Sequence, residues 1–279
     1  MPQRLKIYGI ALVRLRVSDE AASRRFYQQT LGLYPLTKGC FSLPSIANCY
    51  HLSDSQQLEI VPGAPSNNAV ESVGFQVPDA AEMRDYLLAF GVKCGEITKS
   101  NSGDKFFETF DPENHRLIFL TSGIRIYSLI GYPGDSHLIH AGFVVHDRAA
   151  EDHFYQDILG FHVYWHGGMK DDETRWVDMQ VPDGTDWIEY MLNVPANADH
   201  HTLGVMNHIA LGVPDIHAAE AQLRKNGWTG NEQPKIGRGG KWQLNLYDPD
   251  DTRVELMEFT PTQKPCCSEY TGPHPGQRP

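Results

Sequence analysis

The segments RRFYQQTLGL at 24–33 and DHFYQDILGF at 152–161 share Phe-Tyr-Gln and Leu-Gly at one fixed offset. Two more pairs follow in the same order: VPDAAEMRDYLLAFGVK at 77–93 with VPDIHAAEAQLRKNGWT at 213–229, and FDPENHRLIFL at 110–120 with YDPDDTRVELM at 247–257. Three matching landmarks in one order indicate a duplicated domain.

Each copy repeats an alternating strand, an amphipathic helix and several short strands separated by Gly, Pro and Asp. In the second copy this pattern predicts strands near 138–145, 161–166, 174–181 and 186–192, with a helix near 148–158. A second unit is predicted with a strand near 206–213, a helix near 215–226, and strands near 229–234, 241–247 and 252–258. Each copy is therefore expected to contain two βαβββ units.

Domain boundaries follow from the repeat and from local composition. The segment IYSLIGYPGDS is rich in Gly and Pro toward its end, which favours an inter-domain linker at 126–136. We expect an N-terminal domain over 1–125 and a C-terminal domain over 137–260. A Pro/Gly-rich tail is expected over 261–279.

Composition limits the classes of partner. The chain has 279 residues and a formal net charge of −11, which disfavours nucleic acids and anionic membranes because both attract clustered Lys and Arg. No apolar run approaches the roughly 20 residues that span a bilayer. We expect a small-molecule substrate, no nucleic acid and no membrane, with a homodimer as an open alternative to a monomer.

The five cysteines lack both CxxC spacing and the density of a disulfide scaffold. They are Cys40, Cys49, Cys94, Cys266 and Cys267. We interpret them as mostly structural and favour a reducing cytoplasm. The adjacent pair Cys266 and Cys267 has the chemistry to bind a soft metal, but an unremarkable tail is the simpler interpretation.

Four candidate ligands fall at equivalent places in the two units of the second copy. His140 and His208 lie on the first strand of each unit, and Glu189 and Glu255 lie on the last. Two units related by a pseudo-twofold axis would bring all four to one centre. Glu258 is an alternative carboxylate, but its position predicts the opposite strand face.

Two imidazoles and two carboxylates suit one divalent ion, and they leave room for further ligands in an octahedral shell. A structural zinc site would more often use cysteine, and none lies between residues 137 and 260. An isolated strand histidine is usually a hydrogen-bonded core residue. A carboxylate flanked by apolar residues is costly when it has no partner. The symmetric set of four therefore favours a catalytic metal site.

Five further residues are candidates for substrate binding. Arg238 and Lys241 lie in a glycine-rich segment and have the charge to hold an anionic group. Trp187, Trp242 and Asn245 lie on strands beside the ligands, where a shared face would make them pocket residues. Solvated loop charges and core aromatics are the simpler interpretations. The histidine pair in NADHHTL is expected in a loop, where a lid is an alternative.

From about residue 8 to 260 the chain resembles the vicinal-oxygen-chelate superfamily, which includes glyoxalase I, epimerases, resistance proteins and extradiol dioxygenases. The resemblance rests on FYQDILGF, on VPD at the helix start and on YDPDDTRVELMEF. It implies an α+β fold of two tandem domains, each with paired βαβββ units forming curved mixed sheets around a cleft. It also implies a metal held by His140, Glu189, His208 and Glu255.

The resemblance leaves the reaction open. Two His and two Glu resemble glyoxalase I and the epimerases, whereas extradiol dioxygenases share the two-domain layout but use two His and one Glu. Their pattern also places a Tyr ten residues before the Glu, where this chain has Asn245. The acid-base His expected upstream is missing from IGRGGKWQL.

The first copy has lost most of the ligand set. It carries Leu12, Ser72 and Ile118 at the places of His140, His208 and Glu255, and only Glu59 falls near the place of Glu189. One carboxylate cannot hold a metal. We expect the first domain to be a degenerate structural partner.

The leading hypothesis is a metal-dependent lyase, isomerase or epimerase of the glyoxalase type. One Zn, Ni, Co, Mn or Fe ion would bind a small oxygen-chelating substrate and stabilise an enolate, while Glu255 or Glu189 moves a proton. The alternatives are an iron(II) extradiol-type dioxygenase and a non-catalytic resistance-type binding protein.

Overall fold

The structure is a computed structural model, and it describes residues 3–36, 40–41, 48–63, 68–101, 103–121 and 136–276. The predicted linker at 126–136 lies outside these residues except for Ser136.

The first domain forms one seven-stranded sheet with two helices. Its elements are β1 (Gly9–Val17), α1 (Glu20–Arg24) continued by a π-helix (Arg25–Thr30), β2 (Cys49–Ser53), β3 (Gln56–Pro62), β4 (Val70–Val77), α2 (Ala80–Ala89), β5 (Thr98–Lys99), β6 (Lys105–Phe110) and β7 (Arg116–Thr121). The strand order is β2-β3-β1-β4-β7-β6-β5. The first strands of the two units, β1 and β4, therefore pair antiparallel at the centre.

The second domain repeats this arrangement in an eight-stranded sheet. Its elements are β8 (His137–Val144), α3 (Arg148–Asp152) continued by a π-helix (His153–Ile158), β9 (His162–Gly167), β10 (Trp176–Gln180), β11 (Trp187–Met191), α4 (His200–Met206), β12 (His208–Val213), α5 (Ile216–Lys225), β13 (Lys235–Ile236), β14 (Trp242–Tyr247) and β15 (Arg253–Glu258). The strand order is β13-β14-β15-β12-β8-β11-β10-β9.

The predicted α+β architecture of two tandem domains with paired units and mixed sheets is confirmed. Two local predictions were wrong. Residues 229–234 form no strand, and only β13 pairs with β14 there, because TGNEQP is polar and contains both Gly and Pro. The segment with the histidine pair forms α4 rather than a loop. In the first unit, Pro35 makes an isolated bridge with Tyr50 before β2.

Each helix begins at an aspartate whose side chain accepts backbone N–H hydrogen bonds, which satisfies donors that the helix itself leaves open. These caps are Asp19, Asp79, Asp147, Asp199 and Asp215. The VPD landmarks are therefore strand ends followed by helix caps.

The other landmarks meet at the interface between the domains. The Tyr27 hydroxyl donates to Asp248 Oδ2 at 2.8 Å, and the Tyr155 hydroxyl donates to Asp111 Oδ2 at 3.2 Å. In each case the tyrosine of one FYQ segment contacts the aspartate of the other domain's DP turn. The repeat therefore specifies the reciprocal contact of the two domains.

One apolar core spans both domains on the convex sides of the sheets, between strands and helices. The concave side of the first sheet is filled by a smaller apolar cluster that contains Leu12 and Ile118. The concave side of the second sheet carries aromatic residues, including Tyr164, Trp165 and Trp187.

The tail packs across the second sheet. Cys266 N donates to Arg238 O, and Thr271 N donates to Tyr164 O, so residues near 261–276 connect the two edges of that sheet. Two disulfides form, Cys40–Cys49 and Cys266–Cys267, and Cys94 is free. Proximity in the fold pairs these residues without a CxxC motif.

None of the helices in the described ranges is long and apolar enough to cross a membrane.

Candidate metal centre

The four predicted ligands meet on the concave face of the second sheet. Their strands are neighbours in the order β15-β12-β8-β11, which carry Glu255, His208, His140 and Glu189 respectively. Parallel pairs join β8 to β11 and β12 to β15, while β8 and β12 run antiparallel at the pseudo-twofold axis. This topology places the first and last strands of both units around one point.

The donor atoms are close enough to share one ion. Nε2 of His140 and Nε2 of His208 are 3.0 Å apart. Glu189 Oε2 lies 3.0 Å from His208 Nε2 and 3.6 Å from His140 Nε2. Glu255 Oε2 lies farther out, at 3.8 and 3.9 Å from the same two nitrogens. Ligand atoms about 2.0–2.2 Å from one ion stand about 3–4 Å apart, so this spacing fits a shared ion.

The orientation of His208 also fits. Its Nδ1 lies 2.9 Å from Met206 O, so Nδ1 carries the proton and Nε2 keeps its lone pair toward the centre. Such a contact to the second ring nitrogen is typical of metal-binding histidines. Arg253 Nη2 also approaches this lone pair, at 2.7 Å.

Burial and charge shape the pKa values of these groups. Burial lowers the pKa of His140 well below its usual value and raises that of Glu255. Burial alone would also raise the pKa of Glu189, but the nearby His208, His140 and Arg253 lower it to about 2. Neutral imidazoles and an ionised carboxylate are the forms that bind a metal.

His140, Glu189 and His208 form a cluster whose ligand atoms all lie within 4.8 Å of one another, and Glu255 stands beside it. The spacing, the tautomer of His208 and the donor types all fit a single divalent metal ion. The centre has the nitrogen and oxygen donors of a borderline divalent ion.

A cavity of about 570 Å³ opens over the centre. Of the predicted substrate residues, Trp187, Arg238, Lys241 and Asn245 line it. Trp242 is not among its lining residues; its side chain contacts His217 of α5, with the rings 4.9 Å apart. The proposed pocket role of Trp242 is therefore wrong, since alternate residues of β14 face opposite sides and Lys241 and Asn245 occupy the cavity side.

Lys241 is a buried cation in an aromatic surround. Its Nζ lies 5.0 to 5.3 Å from the ring centres of Trp187, Tyr270 and Tyr164, and 3.4 Å from the Tyr164 hydroxyl. Burial lowers the pKa of Lys241 to about 8, although the negative charges of Asp178 and Glu255 act in the opposite direction. An ammonium in this setting is available to an anionic group in the cavity.

Arg238 lies at the rim rather than deep in the cavity. Its guanidinium donates to Asp171 and to Gly168 O, the latter at 3.1 Å. Asn245 lies opposite Glu255 across β14 and β15, and its Oδ1 is buried without a hydrogen-bond partner among the described residues. An amide oxygen in this state is free to accept from a ligand.

Sequence reasoning missed three cavity residues. Asp178 is buried opposite Glu189 across β10 and β11, and burial, followed by the charge of Glu189, raises its pKa. Arg253 lies two positions before Glu255 in β15 and therefore shares its face. The alternation of strand residues could have predicted this from the sequence. Tyr270 comes from the tail, for which the sequence carried no pocket signal.

Other residues lie away from the centre. Glu258 Oε1 accepts from Ile216 N at the start of α5, on the face opposite Glu255, as predicted. His200 contacts Asp250 O and His201 contacts Asp251, and neither lines the cavity. A lid role for this histidine pair has no support.

The equivalent place in the first domain holds no such set. Leu12 and Ile118 belong to an apolar cluster, and Ser72 is buried. Glu59 forms an ion pair with Arg14 at 2.9 Å, with both side chains nearly inaccessible. A buried guanidinium therefore neutralises the one remaining carboxylate.

Comparison with known proteins agrees with this division. Residues 137–256 match the family model described as the Glyoxalase/Bleomycin resistance protein/Dioxygenase superfamily. A lactoylglutathione lyase from Haemophilus influenzae is 26% identical over 128 residues, which cover 45% of this chain and 95% of the relative.

Solved structures of similar fold cover nearly the whole chain. A substrate complex of homoprotocatechuate 2,3-dioxygenase from Brevibacterium fuscum has a TM-score of 0.67 and 21% identity, covering 97% of this chain and 83% of that one. The corresponding dioxygenase from Arthrobacter globiformis has a TM-score of 0.67 and 20% identity, covering 92% and 82%. The fold of nearly the whole chain is thus similar to that of these dioxygenases, while the match to the glyoxalase, bleomycin resistance protein and dioxygenase model lies within the second domain.

Proposed function

We propose that the protein is a divalent-metal-dependent lyase or isomerase of the glyoxalase type, acting on a small substrate that presents two oxygens to the metal. The observation that carries this proposal is the second carboxylate. Glu255 lies within 4 Å of both imidazole nitrogens in addition to the cluster of His140, Glu189 and His208. A site with two carboxylates has one to spare for proton transfer.

In this proposal His140, His208, Glu189 and Glu255 hold the ion. A divalent ion bound there would supply Lewis acidity, which would favour negative charge on a substrate oxygen. Glu255 moves the proton, since it stands farther from the imidazoles than Glu189 does. General base catalysis of this kind contributes roughly 10²–10⁴ in rate.

The cavity residues orient the substrate. Lys241 binds its anionic group, supported by the walls of Trp187 and Tyr270, and Arg238 contributes positive charge at the rim. Asn245 accepts a hydrogen bond beside Glu255. The aromatic walls and the tail exclude water, which strengthens these polar interactions.

A second candidate is an iron(II) extradiol-type dioxygenase, and it is favoured by the full-length likeness in fold to homoprotocatechuate 2,3-dioxygenases. It needs only two His and one Glu, which the site contains. The residue at the dioxygenase Tyr place is Asn245, which cannot take part in acid-base chemistry. We therefore rank it second. A resistance-type binding protein is third and would need no catalytic proton transfer.

One experiment separates the three. The protein is purified without added metal, its metal content is measured, and it is incubated with lactoylglutathione in heavy water and with 3,4-dihydroxyphenylacetate under air. Incorporation of deuterium at the hydroxyl-bearing carbon of the lactoyl group supports the proposed lyase or isomerase. Oxygen uptake with a yellow product would replace it by the dioxygenase. Binding of either compound without turnover, in protein that carries no metal, would favour the third candidate.

A further inference from the structure

The two tyrosine–aspartate contacts between the domains, Tyr27 with Asp248 and Tyr155 with Asp111, have the same arrangement. In the first domain's turn, Asp111 Oδ1 accepts from Glu113 N and His115 N, at 3.1 and 2.8 Å. In the second domain's turn, Asp248 Oδ1 accepts from Asp250 N and Thr252 N, both at 2.9 Å. We call these the Asp111 crossing and the Asp248 crossing.

The second acidic residue of each turn contacts the start of a helix in the other domain. Glu113 accepts from His146 N and Asp147 N. Asp250 accepts from Ser18 N at 2.9 Å and from the Ser18 hydroxyl. Up to this point the two crossings are equivalent, so each serves as a reference for the other.

They differ at one pair of buried positions. The Asp248 crossing has Thr252 and Ser23, both fully buried. The Asp111 crossing has His115 and Glu151 at the equivalent places, and Glu151 is also fully buried. At these two places, therefore, the Asp111 crossing carries titratable side chains and the Asp248 crossing does not.

Glu151 has too few partners to stay ionised there. Its Oε1 accepts from Glu113 N at 3.0 Å, while its Oε2 is buried without a hydrogen-bond partner in the described part of the chain. An ionised carboxylate with one open buried oxygen is strongly disfavoured.

The groups around Glu151 add negative rather than positive charge. The titratable groups that face it are Asp111, Glu113 and His115 of the first domain, His146, Asp147, Arg148 and Asp152 around its own helix, and the hydroxyls of Tyr155 and Tyr190. His115 Nδ1 contacts Asp111 Oδ2 at 2.8 Å, and Arg148 pairs with Asp152 at 3.2 Å. His146 Nδ1 contacts Glu113 Oε2 at 3.1 Å. Each of these three basic groups is therefore paired with another carboxylate than Glu151.

A proton fits this site better than a metal ion. The oxygens of Asp111 already accept from two backbone N–H groups, from the Tyr155 hydroxyl and from the His115 ring. We propose that the Asp111 crossing is a proton-linked contact between the domains, in which Glu151 enters the interface as a neutral carboxylic acid, whereas the Asp248 crossing has Ser23 at the place of this acid.

Electrostatics agrees with the geometry. Burial, reinforced by the charge of Asp111, raises the pKa of Glu151 to about 9. An unfolded glutamate has a pKa of about 4.3, so unfolding releases one proton between these two values. The stabilising effect of the proton is complete below the lower value and is lost as the pH rises through about 9.

The test compares full-length wild type with Glu151→Gln over pH 6 to 10. For each pH unit up to pH 9, the unfolding equilibrium constant of wild type should increase by a factor that is about ten times the factor for the variant. Glu151→Leu should flatten the slope in the same way. Thr252→Val, at the other crossing, should leave the slope unchanged.

A local readout identifies the contact. Hydrogen exchange corrected for intrinsic rates should show amide protection lost above pH 9 at His146 and Asp147, but retained at Ser18 and Asp250. Equal pH slopes in wild type and Glu151→Gln would overturn the proposal. So would a slope that changes when a chelator is added, because a bound cation would then replace the proton.

Discussion

Gly142 lies directly opposite His208 across the antiparallel pair of β8 and β12. A Cβ at Gly142 would stand 2.1 Å from Cε1 of the His208 ring, closer than any real contact. The equivalent pair in the first domain is Arg14 opposite Ser72. One domain thus leaves room for an imidazole, whereas the other fills the same space with a guanidinium paired to Glu59.

We predict that Gly142→Ala displaces the His208 ring and weakens metal binding by roughly five- to 150-fold, since overpacking of this kind costs about 1–3 kcal/mol. Competition with a chromophoric chelator measures the affinity. The control is Gly276→Ala, where an added Cβ meets nothing within 4 Å. Unchanged affinity in Gly142→Ala would show that His208 does not hold the ion.

The second prediction concerns the ligand set itself. The double change His140→Ala and His208→Ala should reduce bound metal from about one ion per chain to less than about a tenth, because two of four donors are lost. Elemental analysis of the purified protein measures this. His153→Ala removes an exposed histidine that pairs with Asp157 and should keep its metal. Metal that survives the double change would place the ion elsewhere.

The two carboxylates should differ in role. Glu255→Gln should retain most of its metal but lose deuterium exchange at the substrate carbon by roughly 10²–10⁴, because the amide keeps an oxygen ligand but has no basicity. Glu189→Gln should chiefly lose metal, since its Oε2 lies 3.0 Å from His208 Nε2. If both variants lose metal and exchange in parallel, or both keep full exchange, the carboxylates are only ligands.

The fourth prediction concerns ring cleavage. Iron(II)-loaded protein should leave catechol and 3,4-dihydroxyphenylacetate unchanged under air, since Asn245 offers no acid-base group where the dioxygenase pattern has Tyr. Oxygen uptake and absorbance of the yellow product are the measurements. An Asn245→Tyr variant tests whether this position alone limits the reaction. Ring cleavage by wild type would reverse our ranking of the two activities.

Lys241 supplies a prediction about substrate charge. Lys241→Met should weaken binding of 3,4-dihydroxyphenylacetate by at least tenfold, because the cation lies buried where charge pairing is strong. The amide of the same compound should bind wild type and variant alike. Quenching of tryptophan fluorescence reports binding, since Trp187 lines the cavity. Equal loss for both compounds would indicate a packing role instead.

The sequence by itself determined the duplication, most of the strand and helix order, and the four candidate ligands. These rest on local rules: strand periodicity of two, aspartate caps at helix starts and equivalent positions in two units. The same rules placed Glu258 on the face opposite Glu255, as the structure shows.

Tertiary structure alone decided the rest, because those features depend on contacts between segments far apart in the chain. Tyr270 reaches the cavity only because the tail crosses the sheet, and Asp178 faces Glu189 only through strand register. Glu151 became a buried acid because its helix packs on a turn of the other domain. Periodicity gives the face on which a residue lies, but the pairing of distant segments decides what that face meets.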